Sequence, residues 1–297
     1  MKTQIPDALK ADVPQSKWGK VLLSTPVIMT VVATLLAGLA SSEMTRAQYD
    51  RSLAAQLQSK AGDQWGYFQA KKLRGALQRS TIDVVQAMAA IRPLEAAALK
   101  PFGELDAKTL AALQKSDLPE APAAALDPNL KAALDAVENS RPEADIAANL
   151  VAVPDRDLAV ALIAARDRAQ SFDSAIKPIT QAVEQMDKAL ATGGATELTR
   201  DFTAARLRLT AARYDAEARL NQAIANLLEL QVRKGNLSAE RHHRRSGRFF
   251  FGMLAAQAAV IVSTFSIAAQ KRSMLWTLAA AAGLAAIAFA VYVYFFV

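Results

Sequence analysis

Cysteine is absent, histidine occurs twice, and Phe, Trp and Tyr together make up 6% of the 297 residues. Without cysteine there is no disulfide framework, no thiolate metal site and no thiol nucleophile. The two histidines, His242 and His243, are adjacent, so a helix points them in different directions and no further ligand stands near them. Charge is scarce as well, at 21% of residues, against 52% hydrophobic residues and a mean hydropathy of +0.11. That balance is too apolar for a disordered chain and points to membrane segments.

Three runs contain no charged residue at all: Val21–Ala40, Phe249–Gln270 and Ser273–Val297. Each is long enough to cross a hydrocarbon core, which takes roughly 20 helical residues. Only Lys271 and Arg272 separate the last two, so these two form a tight helical hairpin. A cleaved signal peptide is the alternative for the first run, because Lys17 and Lys20 precede it and Ala37-Gly38-Leu39-Ala40 is rich in small residues. The apolar run is longer than a usual signal core, which favours a retained anchor. Four lysines in the first twenty residues and Lys271-Arg272 fall on one side if all three runs span. The positive-inside rule makes that side cytoplasmic and places the middle region outside it, in the periplasm of a bacterium. The basic stretch Arg241–Arg248 pulls the other way, but it ends a long loop, where the rule weakens.

The N-terminal tail and the Lys271-Arg272 link each take +2 of the chain's +7, leaving about +3 for residues 43–248. Arg241, Arg244, Arg245 and Arg248 more than account for it. The remainder is near neutral, which argues against a nucleic-acid partner. Residues 42–92 contain no proline before Pro93 and are rich in strong helix formers, so an outgoing helix continues from the first span. Eight of the eleven prolines follow between Pro93 and Pro178, implying short helices and turns over 93–195, a proline-rich tip. Within it, Asp155–Leu190 reads as a longer helix kinked near Pro178, ended by Thr192-Gly193-Gly194. A return helix over 196–247 carries Leu209, Ala216, Leu220, Ala223, Leu227, Leu230 and Leu237 at steps of 7, 4, 3, 4, 3 and 7, a heptad-type stripe. Arg208, Arg213, Glu217, Arg219 and Glu229 flank it as a solvated face should.

The densest constellation is Gly62-Asp63-Gln64-Trp65-Gly66-Tyr67-Phe68-Gln69-Ala70-Lys71-Lys72. On a helix Trp65, Phe68 and Lys72 share one face, and Asp63, Tyr67 and Ala70 another. One reading makes Asp63, Tyr67 and Lys71 a proton-handling or ligand cluster. The other makes the segment a packing knot, and the lack of an accompanying histidine, cysteine or second carboxylate favours it. Trp65 lies about 23 residues beyond the first span, roughly 35 Å along a helix at 1.5 Å per residue. The return helix reaches that level near Ala225, so Trp65 and Phe68 are expected against Ile224–Leu228, with Leu220, Ile224, Leu227 and Leu228 as the receiving surface.

Asp63-Gln64-Trp65-x-Tyr67-x-Gln69-Ala70-Lys71, shortly after an N-terminal span, resembles the signature of the bacterial membrane family Domain of Unknown Function 4337. Arg248-Phe249-Phe250-Phe251-Gly252-Met253-Leu254 and the closing pair of spans with Trp276 are similar to the same pattern. Phe68 stands where a second tyrosine is common, and the middle region matches no motif of the family. The resemblance implies an inner-membrane location and a helical body, and no activity.

Arg241, Arg244, Arg245 and Arg248 are expected at lipid headgroups, where each basic residue is worth about 1 kcal/mol on anionic lipid. In the spans, Gly252, Ala256, Gln257 and Gly283 are expected at helix–helix contacts, because small residues permit close approach and an amide can hydrogen-bond across an interface. Trp276, Tyr292 and Tyr294 suit interfacial anchoring. No ionisable group lies in the spans, which disfavours a conduction path. No phosphate loop, dinucleotide fingerprint, His-Glu-x-x-His or Gly-x-Ser-x-Gly occurs. The sequence therefore predicts an all-α membrane protein with three transmembrane helices, a long antiparallel coiled-coil-like stalk and no cofactor. The function expected is a non-enzymatic scaffold that self-associates. An accessory subunit of a larger membrane complex is the alternative, and an oligomeric channel ranks below both.

Overall fold

The structure is a computed structural model and describes residues 17–120, 126–268 and 274–296. Every regular element among them is a helix. We number these α1 (Lys17–Met88), α2 (Ala96–Leu99), α3 (Ala107–Lys115), α4 (Pro128–Glu138), α5 (Glu143–Val151), α6 (Asp155–Thr192), α7 (Thr196–Ala268) and α8 (Met274–Phe296). The chain divides into two compact units, one drawn from Met1–Leu53 and Gly235–Val297, the other Ala54–Lys234. Two helices, α1 and α7, are long and apolar enough to cross a membrane, and Thr277–Tyr292 within α8 is a shorter apolar helix. The N-terminal tail to residue 16 and the Lys271-Arg272 link lie outside the described residues.

The burial pattern of α1 follows from one repeat. Ala33, Ala40, Ala47, Ala54 and Ala61 stand seven apart and all are buried, and Gly75 and Ile82 continue the register. Leu36 and Glu43 fill the intermediate step in the first unit, as half-buried Leu57, Gln64 and Lys71 do in the second. Alternating steps of three and four keep one face of a helix against a neighbour along its length. Alanine at every seventh place lets the neighbour come close. At Gly75 a Cβ would meet the backbone oxygen of Ala211 at 3.6 Å and Asp215 Oδ1 at 3.4 Å, so α1 and α7 nearly touch backbones there.

In the first unit α1, α7 and α8 form a three-helix bundle. Ala33, Leu36, Ala40, Phe249, Ala256 and Ala286 make its core. The inner face of α7 runs Phe249, Gly252, Ala256, Ala259, Ser263 and Ser266, all buried. Gly252 sits against Leu36 and the backbone of Ala286, and a Cβ on Gly283 would lie 2.6 Å from Met29 Sδ. Gly252, Ala256 and Gly283 thus occupy helix contacts. Gln257 does not: it is exposed on the outside of the bundle, because the inner register passes through Ala256 and Ala259.

In the second unit the proline-rich region is not a separate tip. Its helices lie alongside α7, as Asn226–Glu138 (2.7 Å), Arg233–Glu143 (2.8 Å) and Arg213–Thr180 (3.3 Å) record. The short helices are set by their caps. Asp106 opens α3 by accepting from the Thr109 N–H at 2.6 Å, and this bond holds its carboxyl below the usual range. Asp127 opens α4 ahead of Pro128 at its first turn. The α6 helix runs through Pro178 to Thr192, and Gly194 turns the chain with φ 72°. Phe102 packs onto Gly193, and it belongs with Leu94, Leu99, Leu113, Phe172, Val183, Met186 and Phe202 to the main apolar core.

The α7 helix shows a further departure from the sequence pattern. Ile224, Ala225, Asn226, Leu227 and Leu228 are all buried in succession, more than any single-faced stripe allows. Glu217 is buried too, and Arg213 and Glu229 are half-buried, so of the five flanking charges only Arg208 and Arg219 face water. The reason is that α4 and α5 cover sides of α7 that an α1–α7 pair would leave wet.

Overpacking the alanine register should be costly. Ala61→Leu is expected to destabilise the protein by about 1–3 kcal/mol, against under about 0.5 kcal/mol for Ala55→Leu on the exposed face. Thermal unfolding of the full chain in detergent, followed by circular dichroism, measures the difference.

Candidate functional site

The segment singled out by sequence divides between two environments. Asp63, Tyr67 and Gln69 are exposed, while Gln64, Trp65, Phe68 and Lys71 are half-buried toward α7. Asp63 and Tyr67 therefore do not join Lys71 in a proton-handling group. Trp65 and Phe68 meet edge to face, centroids 5.5 Å apart. Ile224, Leu227 and Leu228 are buried, and Leu220 packs on the main core.

Lys71 belongs instead to an ionic cluster that the α1–α7 contact assembles. It pairs with Glu217, which also lies 3.3 Å from the Arg213 guanidinium one turn before it. Two residues before Glu217, Asp215 takes Arg79 and, at 4.0 Å, Lys72. The Tyr214 ring lies between two cations, Lys71 at 5.4 Å and Arg213 at 4.9 Å. Asp173 of α6 adds a third carboxylate. Crowding strips part of its hydration and the Glu217 charge repels it, so its pKa is raised despite the pull of Lys71 and Arg213. The register follows from these pairs: with Lys71 on Glu217, an antiparallel partner puts Trp65 level with Ala223.

Trp65 and Ala223 indeed line one cleft of about 740 Å³, closed on the other side by Glu138, Arg141, Glu143 and Ile146. Its charged walls are largely committed. Arg233 bonds both oxygens of Glu143 and also Glu229, and these bonds hold its proton more tightly despite partial burial. Asn226 satisfies Glu138. Outside the cleft, Lys234 donates to the Val153 carbonyl and pairs with Asp155 at 2.7 Å. Among the described residues no three acidic or histidine side chains converge as a metal would need. Chemically, the cluster and the paired walls of the cleft fix helix register.

The first unit holds its own ionic contact. Glu43, buried on the alanine register, bonds His242 Nδ1 and lies 3.9 Å from Arg245. Ser246 Oγ donates to the Ala40 carbonyl at 2.7 Å. Arg248 stacks over the Tyr292 ring at 5.5 Å. Of the four arginines expected at lipid, only Arg241 and Arg244 point outward; Arg245 and Arg248 are turned into the bundle by Glu43 and Tyr292. Glu43 went unremarked in the sequence. Its signal was there: it is the first charge after the first apolar run and falls on the Ala33–Ala40–Ala47 register.

Residues 20–165 match the family model described as Domain of unknown function (DUF4337). Over that stretch the chain belongs to DUF4337. No curated protein and no solved structure matches it. The DUF4337 match takes in α1 and runs through α5 into α6, so it covers the proline-rich region, where no family motif is visible in the sequence, as far as residue 165. It stops before Arg248–Leu254 and the closing apolar runs, which the resemblance takes in. The α1 half of the ionic cluster is thus inside the DUF4337 stretch and the α7 half outside it.

Two substitutions probe the cluster. Glu217→Ala strands Lys71 and Arg213 and is expected to cost about 2 kcal/mol, discounted from the ~3–5 kcal/mol of a fully buried pair because Lys71 keeps contact with water. Adding Lys71→Met should recover part of that loss in the same melting assay. Asp173 gives the opposite sign. A carboxyl whose folded pKa is raised weakens the fold once ionised, so Asp173→Asn should raise the melting temperature slightly at pH 7. The gain should vanish below the unfolded carboxyl pKa of about 3.9, where both states are protonated.

Proposed function

We propose that this DUF4337 protein is a non-enzymatic, membrane-anchored helical scaffold that self-associates. The observation that carries the reading is the composition of α1 and α7: each is one unbroken helix, apolar at one end and charged at the other. Such helices suit a protein that is fixed in a bilayer and projects a rigid body from it. On this reading α8 is a third span, and the paired α1 and α7 form a stalk thickened by α4–α6. The middle region lies on the periplasmic side of a bacterial inner membrane, in keeping with the lysines of the N-terminal tail and Lys271-Arg272. Arg241 and Arg244 then meet lipid headgroups at the boundary.

On this reading the ion pairs of the α1–α7 contact hold helix register. A second reading, an accessory subunit of a larger membrane complex, is favoured by one feature. Leu73, Leu77, Val84 and Met88 are exposed at steps of 4, 7 and 4 on the outer side of α1, a stripe that a partner helix would cover.

The native absence of cysteine makes the test direct. A Ser59→Cys variant of the full chain should stay in the membrane pellet through alkaline carbonate extraction. It should also react with a membrane-impermeant maleimide added to cells with a permeabilised outer membrane. Release by carbonate would overturn the anchor, and labelling only after lysis would overturn the orientation.

A further inference from the structure

The α7 helix presents two faces within its apolar end. The inner one, through Phe249, Gly252, Ala256, Ala259 and Ser263, is filled by the bundle. On the opposite side Phe250, Leu254, Gln257, Ile261 and Thr264 follow one another at steps of 4, 3, 4 and 3, and all five are exposed. That spacing is the seam of a helix that expects a neighbour. Thr264 satisfies itself by donating to the Val260 carbonyl at 2.8 Å. Gln257 has no such recourse. Its amide carries two donors and an acceptor, and it sits about 14 Å along the helix from Arg248 at 1.5 Å per residue. Under the membrane reading that depth is close to the middle of a hydrocarbon core of about 30 Å, where an amide facing lipid leaves every hydrogen-bonding group unmet.

We propose that a second copy of this chain packs on this face, with the two Gln257 amides hydrogen-bonded to each other. The choice of occupant follows from symmetry. Two copies inserted with one orientation carry Gln257 at the same depth, so a two-fold axis along the membrane normal brings amide to amide. Each N–H then donates to the other's carbonyl oxygen, which makes the group its own complement. Leu254 and Ile261, one turn above and below, close apolar layers around the pair. A different membrane protein would need a polar group at a matching depth, which a second copy supplies by construction. The proposal rests on the membrane-anchored reading and specifies how self-association is achieved.

The experiment uses full-length single-cysteine variants in native membranes, Leu254→Cys, Ile261→Cys and, on the filled face, Ala259→Cys, with copper-phenanthroline oxidation. Covalent dimers are expected at positions 254 and 261 and not at 259. Adding Gln257→Leu should lower dimer yield by about threefold to tenfold, in line with the modest worth of hydrogen bonds between membrane helices. Gln257→Asn, which keeps the amide, should retain most of the yield. Equal cross-linking at all three positions, adducts with another protein in place of the dimer, or indifference to Gln257→Leu would overturn the proposal while leaving the anchor intact. Loss of all three variants from carbonate-washed membranes would instead overturn the anchored reading beneath it.

Discussion

The contact on which most of this structure depends is the approach of α1 to α7 through alanine. An alanine every seven residues leaves no side chain long enough to hold two helices at ordinary spacing, so the backbones come together and the contact gains many weak dispersion interactions. Gly75 carries this furthest, with the Ala211 carbonyl against the place where a Cβ would be. So close an approach has a consequence for charge. Long side chains on the edges of the contact reach across it easily, which is why Lys71, Lys72 and Arg79 find Glu217 and Asp215 on the other helix. The ion pairs add little net stability by themselves. What they add is register, since a slip of one turn would strand several partly buried charges at once.

How much of this was legible in the sequence depends on which level is asked. The two long helices could be read because uncharged runs and proline-free stretches are strong, local signals. The seven-residue spacing of Ala33, Ala40, Ala47, Ala54 and Ala61 was equally local, yet a search for leucine stripes passes over it. Alanine is common everywhere in this chain, and its period only means something once the contact is known to be close. The leucine stripe of α7 is equally visible but carries less than the whole of its burial. A stripe reports one buried face, whereas Ile224–Leu228 are enclosed on every side by helices whose place along α7 no periodicity announces.

The ionic residues illustrate a different limit. Arg213, Glu217 and Glu229 have the spacing of a solvated helix flank, and charge alone gives no sign that they are covered. Lys71, which pairs with Glu217, and Glu143, which shares Arg233 with Glu229, lie far away in sequence and come together only through the fold. Glu43 is the exception that could have been found. A carboxylate on the same face as three regularly spaced alanines has either to be paired or to disrupt the contact, and His242 with Arg245 were the available partners near the matching level of α7. The basic stretch is therefore not a uniform outward-facing patch. Two of its four arginines are held inward, so the patch is smaller than its sequence implies.

Gln257 and Glu43 together separate two kinds of polar residue near an apolar environment. Glu43 is satisfied within one chain, so its pairing belongs to folding, and a change there would be felt by every copy whether alone or assembled. Gln257 is unsatisfied within one chain and faces outward, so folding does not require it. A lone amide on the outer surface of an apolar helix lowers stability in hydrocarbon unless something beyond the chain meets it. A residue of that kind therefore reports on assembly in a way that no buried residue can. For a bundle whose inner face is built from glycine, alanine and serine, the same reasoning assigns the inner face to the fold and the outer face to what the protein meets beyond its own chain.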